Sequence, residues 1–331
     1  MEYDHGEQGL STWVHKSQFL TTHQKSLRDS LINKQIAPKF HYLSYRQSQR
    51  WSKLHKAYSP VAIHSEGKRL YEKAFDYVTK LLADQECVEV TSLGCGAGNK
   101  DMILLEALLR TGNHISYLPS DISLPLVTQA SLEANKLSRC KVLRGSIGDF
   151  LQAEDLNALV GQRKKDKSRV FLFLGMIPNM SPAHALAKLS HGLELGDILI
   201  ISANLLGDQM DEHGLITQYD NPETKHWLEC FWDDLDVPED TWNWEFNLCN
   251  AAVQGINYLR VEVNALFNDD LDINYERNVI KVEARESVRT FFSNRFSSEA
   301  FTELVEKHSF KVKHVELLPD QSEGVWVLAK D

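Results

Sequence analysis

Several features that would point to other classes of protein are missing from this sequence of 331 residues. No apolar run approaches the roughly 20 residues that a helix needs to cross a bilayer. The N-terminus, Met1–His5, is polar and acidic and does not resemble a secretory signal peptide. Five cysteines form no CxxC pair, and thirteen histidines form neither HxH nor HExxH, which argues against a zinc site. We therefore expect a soluble, cytoplasmic protein with reduced thiols and no bound metal.

An excess of positive charge is also missing. The chain has 36 Lys and Arg against 46 Asp and Glu, a net charge of −10. The one short basic run, Arg163–Lys167, has the composition of a solvated loop. A basic surface that could follow a nucleic-acid backbone is therefore not expected. We expect a small-molecule partner, neither nucleic acid nor membrane, and the sequence leaves the oligomeric state open.

The middle of the chain alternates between short β-branched runs and amphipathic helical patterns. This alternation predicts parallel βαβ units in an open, doubly wound α/β sheet of the Rossmann-like type. After a final helix, two more strands predict an antiparallel hairpin at a sheet edge. The predicted strands are 87–93, 114–118, 141–144, 170–174, 197–203, 311–317 and 324–329, and the predicted helices of this region are 101–110, 125–135, 182–193 and 298–308.

The alternation is interrupted by a segment rich in aromatic residues, which indicates an insertion with helices and antiparallel strands. The polar N-terminal stretch, with a helix expected over 20–34, precedes the first predicted strand. We therefore expect two domains. Residues 77–206 and 288–331 form the sheet domain, and residues 20–76 and 207–287 form a second, α+β domain that binds substrate.

A glycine turn is the strongest candidate site. Gly94, Gly96 and Gly98 follow the buried strand 87–93, and glycines there permit positive φ and let a ligand approach the backbone. Their spacing is GxGxG, which lacks the third glycine of the dinucleotide-binding GxGxxG pattern. The spacing argues against, but leaves open, an NAD-linked oxidoreductase on the same sheet.

Two acids follow the next strands. Asp121 ends the second strand, where a carboxylate can accept both hydroxyls of a ribose. Asp149 follows the third strand, where it can accept from an adenine amino group while Phe150 covers the ring. A glycine turn and two acids in this order predict a nucleoside pocket along the strand ends. Either acid alone could instead be a turn former.

These residues also carry a resemblance. The chain resembles the histidine Nα-methyltransferases of ergothioneine biosynthesis over most of its length, on the following stretches: Pro38–Tyr42, Leu93–Lys100, Pro119–Ser123, Gly148–Phe150, Phe173–Asn179 and Tyr219–Asn221. The resemblance implies a class I methyltransferase fold, S-adenosyl-L-methionine (SAM) as cofactor, and a substrate bound between two domains. It implies that the cofactor is held by Gly94, Gly96, Lys100, Asp121, Asp149 and Phe150.

The resemblance also implies where the acceptor binds. Asn179 and Tyr219 correspond to residues that hold the amino and carboxylate groups of an amino acid, and Tyr42 to a tyrosine that contacts it. A second such tyrosine falls at Ser59 by spacing, with Tyr58 beside it. We expect catalysis by positioning through Asn179, Tyr219 and Tyr42, without a covalent intermediate.

The sequence departs from the family near the C-terminus. Where members that methylate histidine carry Thr-Glu-x-Ser, this chain has Thr290-Phe291-Phe292-Ser293. Ser293 is retained, but Phe291 replaces the acid that pairs with the imidazole. An unpaired imidazole N–H in a buried pocket costs roughly 1–3 kcal/mol. Phe291 is alternatively an ordinary core residue.

We therefore predict a SAM-dependent N-methyltransferase that acts on the amine of an amino acid or a related small molecule other than histidine. Histidine Nα-methylation is the alternative. A catalytically silent SAM-binding partner protein is an alternative of another class, and the presence of Lys100, Asp121 and Asp149 argues against it.

Overall fold

The structure is a computed structural model that describes residues 9–161, 167–207 and 211–330. The expectations for Met1–His5 and for residues 163–166 of the basic run concern residues outside these ranges. Within them, the helices are α1 (Leu20–Ile32), α2 (Tyr45–Tyr58), α3 (Pro60–Ile63), α4 (Ser65–Leu81), α5 (Asn99–Arg110), α6 (Leu124–Asn135), α7 (Asn157–Val160), α8 (Pro182–Gly192), α9 (Glu212–Thr217), α10 (Pro222–Asp233) and α11 (Ser298–Glu306). The strands are β1 (Thr12–Val14), β2 (Cys87–Leu93), β3 (His114–Asp121), β4 (Cys140–Val142), β5 (Gly145–Ile147), β6 (Ser168–Phe173), β7 (Ile198–Asn204), β8 (Trp242–Val253), β9 (Ile256–Phe267), β10 (Leu271–Tyr275), β11 (Asn278–Val282), β12 (Ser287–Arg295), β13 (Phe310–Leu317) and β14 (Glu323–Lys330).

One large, mostly parallel sheet organises the described chain. Its strand order is β1-β5-β3-β2-β6-β7-β14-β13, with β4 paired to β3. The pairs from β1 through β7 are parallel, whereas β14 is antiparallel to both β7 and β13. The predicted doubly wound sheet and its antiparallel hairpin at one edge are confirmed. The order reverses on either side of β2, so the carboxyl ends of β2, β3 and β6 border a crevice at the switch point.

Helices cover both faces of this sheet, because its central strands are apolar on both sides. On one face, Leu70, Phe75 and Val78 of α4 pack with Leu104 and Leu108 of α5. On the other face, α8 and α11 pack over Phe171, Phe173 and Leu199. At roughly 25 cal/mol per Å² of apolar surface, burial on both faces is the main stabilising contribution to this half of the molecule. It holds the strand ends in place around the crevice.

The insertion forms a second, smaller sheet. Strands β8, β9 and β12 pair antiparallel in the order β12-β9-β8, and β10 and β11 form a separate hairpin. A hydrophobic cluster joins this insertion to the N-terminal segment, with Leu31 and Phe40 packing among Phe231, Trp232 and Phe267. The aromatic residues of the insertion therefore pack together with the N-terminal segment.

Two observations bear on the predicted domain boundaries. Helix α4 packs along its length on the large sheet, so a boundary between residues 76 and 77 would divide a single helix. Strand β12 pairs with β9 over Ser287–Arg295, so most of that strand belongs by its hydrogen bonds to the sheet of the insertion. Helix α4 thus packs as one element on the large sheet and β12 pairs within the smaller sheet, and the division into two domains stays a prediction.

None of the helices in the described ranges is both long and apolar enough to span a membrane.

Candidate active site

The glycine turn after β2 borders a cavity of about 460 Å³. Gly94, Gly96 and Gly98 all have positive φ, at 72°, 52° and 80°. A Cβ added at Gly94 would lie 2.2 Å from Sδ of Met176, and one at Gly96 would lie 2.8 Å from the Trp51 ring. The turn therefore needs glycine for its backbone conformation and for the close approach of its neighbours. Its backbone is left accessible to a ligand in the cavity.

Asp121 lies at the carboxyl end of β3 and lines this cavity. Its Oδ2 accepts a hydrogen bond from the Gly96 N–H at 3.0 Å, and its Oδ1 accepts one from the Ser123 N–H at 2.9 Å. Burial raises the pKa of the Asp121 carboxyl, and these backbone N–H groups oppose that shift. A carboxylate oxygen can accept more than one hydrogen bond, so Asp121 can still accept from a ligand hydroxyl.

Asp149 and Phe150 follow β5 and also line the cavity. Oδ1 of Asp149 accepts from the Leu151 N–H at 2.9 Å, and Oδ2 accepts from Nζ of Lys39 at 2.9 Å. Phe150 packs in the core against Phe173, at 5.0 Å between ring centroids. The sequence reasoning did not assign a role to Lys39, although the residue lies in the Pro38–Tyr42 stretch.

Lys100 enters the cavity from the first turn of α5. Its Nζ donates to Oε1 of Glu323 at 3.1 Å and to the hydroxyl of Tyr71, whose own O–H donates to the same Oε1. Glu323 begins β14, and both Lys100 and Glu323 line the cavity. The sequence offered no local signal for Glu323, because its place depends on the pairing of β14 with β7.

Asn179 and Tyr42 face the same cavity. Nδ2 of Asn179 donates to the backbone carbonyl of Phe292 at 2.8 Å, and its Oδ1 accepts no hydrogen bond from the described part of the chain. Burial is the main cause that raises the pKa of Tyr42, with Asp121 and Tyr219 adding to it. Tyr42 therefore stays protonated and can donate a hydrogen bond. Two residues with an amide oxygen and a phenolic O–H, Asn179 and Tyr42, thus line the cavity.

Tyr219, Phe291 and Ser293 are not among the described residues that line the cavity. The hydroxyl of Tyr219 accepts from Nη2 of Arg295 at 2.9 Å. Phe291 is 4% exposed, and its ring centroid lies 6.4 Å from that of Tyr219. Ser293 is buried, and its Oγ finds no partner among the residues that the structure describes.

Phe291 packs against Trp227, which in turn packs against Tyr42 at the cavity wall. Its centroid is 5.2 Å from that of Trp227, which is 5.3 Å from that of Tyr42. The ring centroid of His41 lies 6.2 Å from that of Phe291. Nε2 of His41 is hydrogen-bonded to the Thr290 carbonyl oxygen, 2.7 Å away. Since that partner is a carbonyl, the imidazole is the donor. Phe291 packs in a hydrophobic cluster with Trp227, Leu228 and Val263, and Tyr42 and Tyr219 pack against that cluster.

Tyr58, which the resemblance placed beside the acceptor, is not among the described residues that line the cavity. Tyr58 is 44% exposed, and its hydroxyl donates to Oε2 of Glu223 at 2.9 Å on the surface. It ends α2, and the helix turns its side chain away from the cavity. The next residue, Ser59, lines the cavity instead. This is the position at which the family tyrosine falls by spacing.

Within the described ranges, no three His, Cys, Asp or Glu side chains are grouped as they would be around a metal ion. The cavity residues are instead suited to an organic ligand. Asp121 and Asp149 supply acceptors at the ends of β3 and β5, and Lys100 lies beside the glycine turn. Asn179, which follows β6, supplies an amide oxygen, and Tyr42 of the N-terminal segment supplies a phenol.

The chain is similar to several solved structures of methyltransferases. The chain is similar to a SAM-dependent methyltransferase from Clostridium acetobutylicum ATCC 824, with 10% identity, a TM-score of 0.42, and coverage of 85% of this chain and 98% of that one. It is similar to the 1,6-didemethyltoxoflavin-N1-methyltransferase of Burkholderia thailandensis, with 10% identity, a TM-score of 0.43, and coverage of 86% and 88%. It is also similar to the CcbJ methyltransferase of Streptomyces caelestis, with 10% identity, a TM-score of 0.39, and coverage of 79% and 90%. No curated protein sequence matches the chain.

The family assignment comes from a sequence comparison. A family described as "Histidine-specific methyltransferase, SAM-dependent" matches residues 23–328, which is nearly the whole chain. The large sheet carries an antiparallel hairpin at one edge, as the resemblance to class I methyltransferases predicted. The cofactor is therefore SAM, and the chain belongs to the family of histidine-specific, SAM-dependent methyltransferases.

Proposed function

We propose that this enzyme transfers a methyl group from SAM to the amine of an amino acid or a related small molecule other than histidine. The observation that carries this proposal is the aromatic environment of Phe291, which stands where the family acid pairs with imidazole. A phenyl ring offers apolar contact and a π-face, and no acceptor for an imidazole N–H. An acceptor with an aromatic or aliphatic side chain fits these surroundings better.

The cofactor would be held along the strand ends. Asp121 would accept the ribose hydroxyls, and Asp149 would accept from the adenine amino group next to Phe150. The glycine turn lets the ligand approach the backbone at Gly94 and Gly96. The close fit of this turn to its neighbours and the two open acceptor carboxylates support the assignment. When bound, SAM supplies a methyl group that is already electrophilic because it is attached to a sulfonium.

The acceptor amine would be positioned by Asn179 and Tyr42. The open Oδ1 of Asn179 can accept from an amine N–H, which aims the nitrogen lone pair. The protonated hydroxyl of Tyr42 and the hydroxyl of Tyr219 can donate to a carboxylate. Arg295 donates to Tyr219 and leaves its hydroxyl hydrogen free for such an acceptor. Trp227 contacts both Phe291 and Tyr42, so the acceptor side chain would lie against this aromatic cluster.

The proposed step needs no other reactant. The amine nitrogen forms a bond to the methyl carbon while the carbon–sulfur bond breaks, and its electron pair stays on sulfur. The products are a methylated amine and S-adenosylhomocysteine. The amine has to lose a proton before attack, and water can carry that proton away. The protein would contribute through positioning and desolvation.

The test is a methyl-transfer assay with a panel of amino acids and amines, read by mass. We expect the highest kcat/KM for an acceptor with an apolar or aromatic side chain, and weak or no transfer to histidine. Efficient methylation of histidine at its α-amine would establish the alternative, which the description of the matched family favours.

The alternative functions from other classes are tested by separate binding experiments. A protein that binds S-adenosylhomocysteine but methylates no member of the panel would be a silent SAM-binding partner protein. Binding of NADH in place of S-adenosylhomocysteine would indicate an oxidoreductase. Titration with both ligands therefore precedes the assay.

A further inference from the structure

We propose that Glu323 and His55 bind the α-ammonium group of SAM and that Lys100 binds its α-carboxylate. This inference rests on the cofactor assignment and adds residues for the amino-acid end of the ligand. It is independent of the identity of the methyl acceptor.

Glu323 carries a carboxylate oxygen without a donor. The residue is 5% exposed and lines the cavity from the start of β14. Oε1 accepts from Lys100 and Tyr71, but Oε2 is buried and has no hydrogen-bond partner in the described part of the chain. A buried carboxylate oxygen without a donor is costly, because desolvation removes the water that would otherwise bind it. A ligand N–H would satisfy this atom.

His55 presents a second open acceptor. It lies on α2, one turn after Trp51, and lines the same cavity. Its Nδ1 is buried and has no partner within the described ranges. Burial and the charge of Lys100 lower the pKa of His55 to about 4, and Glu323 opposes this shift. The imidazole is therefore neutral near pH 7, so one of its ring nitrogens has a lone pair available.

Lys100 has one N–H to spare. Its ammonium has three hydrogens, and two of them go to Glu323 and Tyr71. The residue lies in the first turn of α5, a helix of twelve residues whose N-terminus also favours an anion. The remaining N–H and the helix terminus are suited to a carboxylate.

Together, these groups match an α-amino acid zwitterion. The ammonium has three N–H groups, which can serve Oε2 of Glu323 and a ring nitrogen of His55. The charges of Lys100 and Glu323 cancel, as do those of the ligand's ammonium and carboxylate, so binding of this amino-acid part adds no net charge there. The methionine part of SAM is such a zwitterion, and the glycine turn lines the same cavity. An amino-acid acceptor has the same chemistry, and the ligands of the test separate these two sources.

The test compares ligands that differ only at this end. Binding of S-adenosylhomocysteine and of 5′-methylthioadenosine, which lacks the amino-acid part, is measured by calorimetry for the wild type, Glu323→Gln and His55→Phe. We expect Glu323→Gln to weaken S-adenosylhomocysteine binding by about tenfold or more, because its amide N–H₂ faces the ammonium. We expect His55→Phe to weaken it by several-fold. Binding of 5′-methylthioadenosine should stay the same in both variants.

Glu316→Gln is the matched control, because Glu316 lies on the neighbouring β13, pairs with His314 and does not line the cavity. Should Glu323→Gln not fold, the wild type is titrated with the S-adenosylhomocysteine analogue that has hydrogen in place of the ammonium. We expect about tenfold weaker binding of that analogue.

Three results would overturn the proposal. These are unchanged S-adenosylhomocysteine binding in a folded Glu323→Gln, equal weakening of both ligands, and equal binding of the analogue and S-adenosylhomocysteine to the wild type. If free amino acids bind to the S-adenosylhomocysteine-bound enzyme only when Glu323 is intact, the site belongs to the acceptor, which also overturns the proposal. A failure to methylate any acceptor would contradict the proposed function and leave these binding results unaffected.

Discussion

Nζ of Lys39 donates a hydrogen bond to Oδ2 of Asp149 over 2.9 Å, and each side chain is only 11% exposed. The contact joins the turn before α2 to the carboxyl end of the strand β5, across 110 positions of sequence. It gives the buried carboxylate of Asp149 a counter-charge at the wall of the cofactor cavity. The N-terminal segment is thereby connected to the residues proposed to hold the adenine.

This ion pair leads to a prediction about stability. Lys39→Met removes the partner of a mostly buried carboxylate, so we expect the free energy of unfolding to fall by about 1–3 kcal/mol in urea denaturation. Adding Asp149→Asn should recover part of the loss, since it removes the unpaired charge. The exposed pair Arg46–Asp233 is the control, and Arg46→Met should cost less than about 1 kcal/mol. Equal effects of the two single changes would contradict this account.

A second prediction tests the assignment of the ribose. Asp121→Ala should weaken binding of S-adenosylhomocysteine by about tenfold or more, which corresponds to about 1.4 kcal/mol. The substitution removes the acceptor for the two hydroxyls. Asp84→Ala removes an exposed carboxylate just before β2 and should leave binding unchanged. Calorimetry that finds wild-type affinity in a folded Asp121→Ala would refute the assignment.

A third prediction concerns specificity. Phe291→Glu, with Ser293 in place, should shift the ratio of kcat/KM for histidine over an aromatic amino acid towards histidine by about 10–100-fold. A carboxylate at this position could again accept from an imidazole N–H. Because Phe291 is 4% exposed, the variant should also be less stable, so the ratio is measured below its unfolding temperature.

Phe291→Leu is the matched control for that change. It keeps an apolar side chain and should leave histidine a poor substrate. Comparable kcat/KM values for histidine and aromatic amino acids in the wild type and in both variants would show that Phe291 only packs the core.

A fourth prediction concerns pH. Burial lowers the pKa of His41 to about 4, although the Thr290 carbonyl opposes this. The unfolded chain therefore takes up a proton at His41 near pH 6.5, where the folded protein does not. Stability from the neutral imidazole is complete above about pH 6.5 and is lost as the pH falls towards 4. Between about pH 7 and about pH 5 the loss should be about 2 kcal/mol.

His41→Gln isolates this contribution. Its amide can still donate to the Thr290 carbonyl, but it does not titrate. The difference in unfolding free energy between pH 7 and pH 5 should therefore be smaller in the variant than in the wild type. His55 titrates in both proteins and cancels in the comparison. The same pH dependence in both would show that His41 is not responsible.

Much of the sheet was predictable because its signals are local. The apolar runs that form β2, β6 and β7 are buried on both faces, and the helices between them have a clear apolar side. The glycine turn is also a local signal, since positive φ at three nearby positions is a backbone requirement of that segment alone. The positions of Asp121 and Asp149 followed from the rule that parallel strands end at one edge of the sheet.

The pairing of distant segments was not predictable in the same way. Strand β1 joins the sheet beside β5, and β12 pairs with β9 although the chain returns to the large sheet directly afterwards. Strand pairing depends on which edge is free and which face is buried, and neither is encoded within the strand. The position of Tyr58 has a similar origin, because the rotation of α2 against its neighbours decides that Ser59, and not Tyr58, lines the cavity.

The sequence by itself therefore determined the parallel sheet, the glycine turn and the acids at the strand ends, since each depends on residues close together in the chain. Only the tertiary structure decided which side chains complete the cavity. Lys39, His55 and Glu323 come from the N-terminal segment and the last strand, and they meet the glycine turn through packing and strand pairing. Burying a charge in the low-dielectric interior is costly unless an opposite charge or a hydrogen-bond partner lies beside it. Those partners are brought together only by the folded chain.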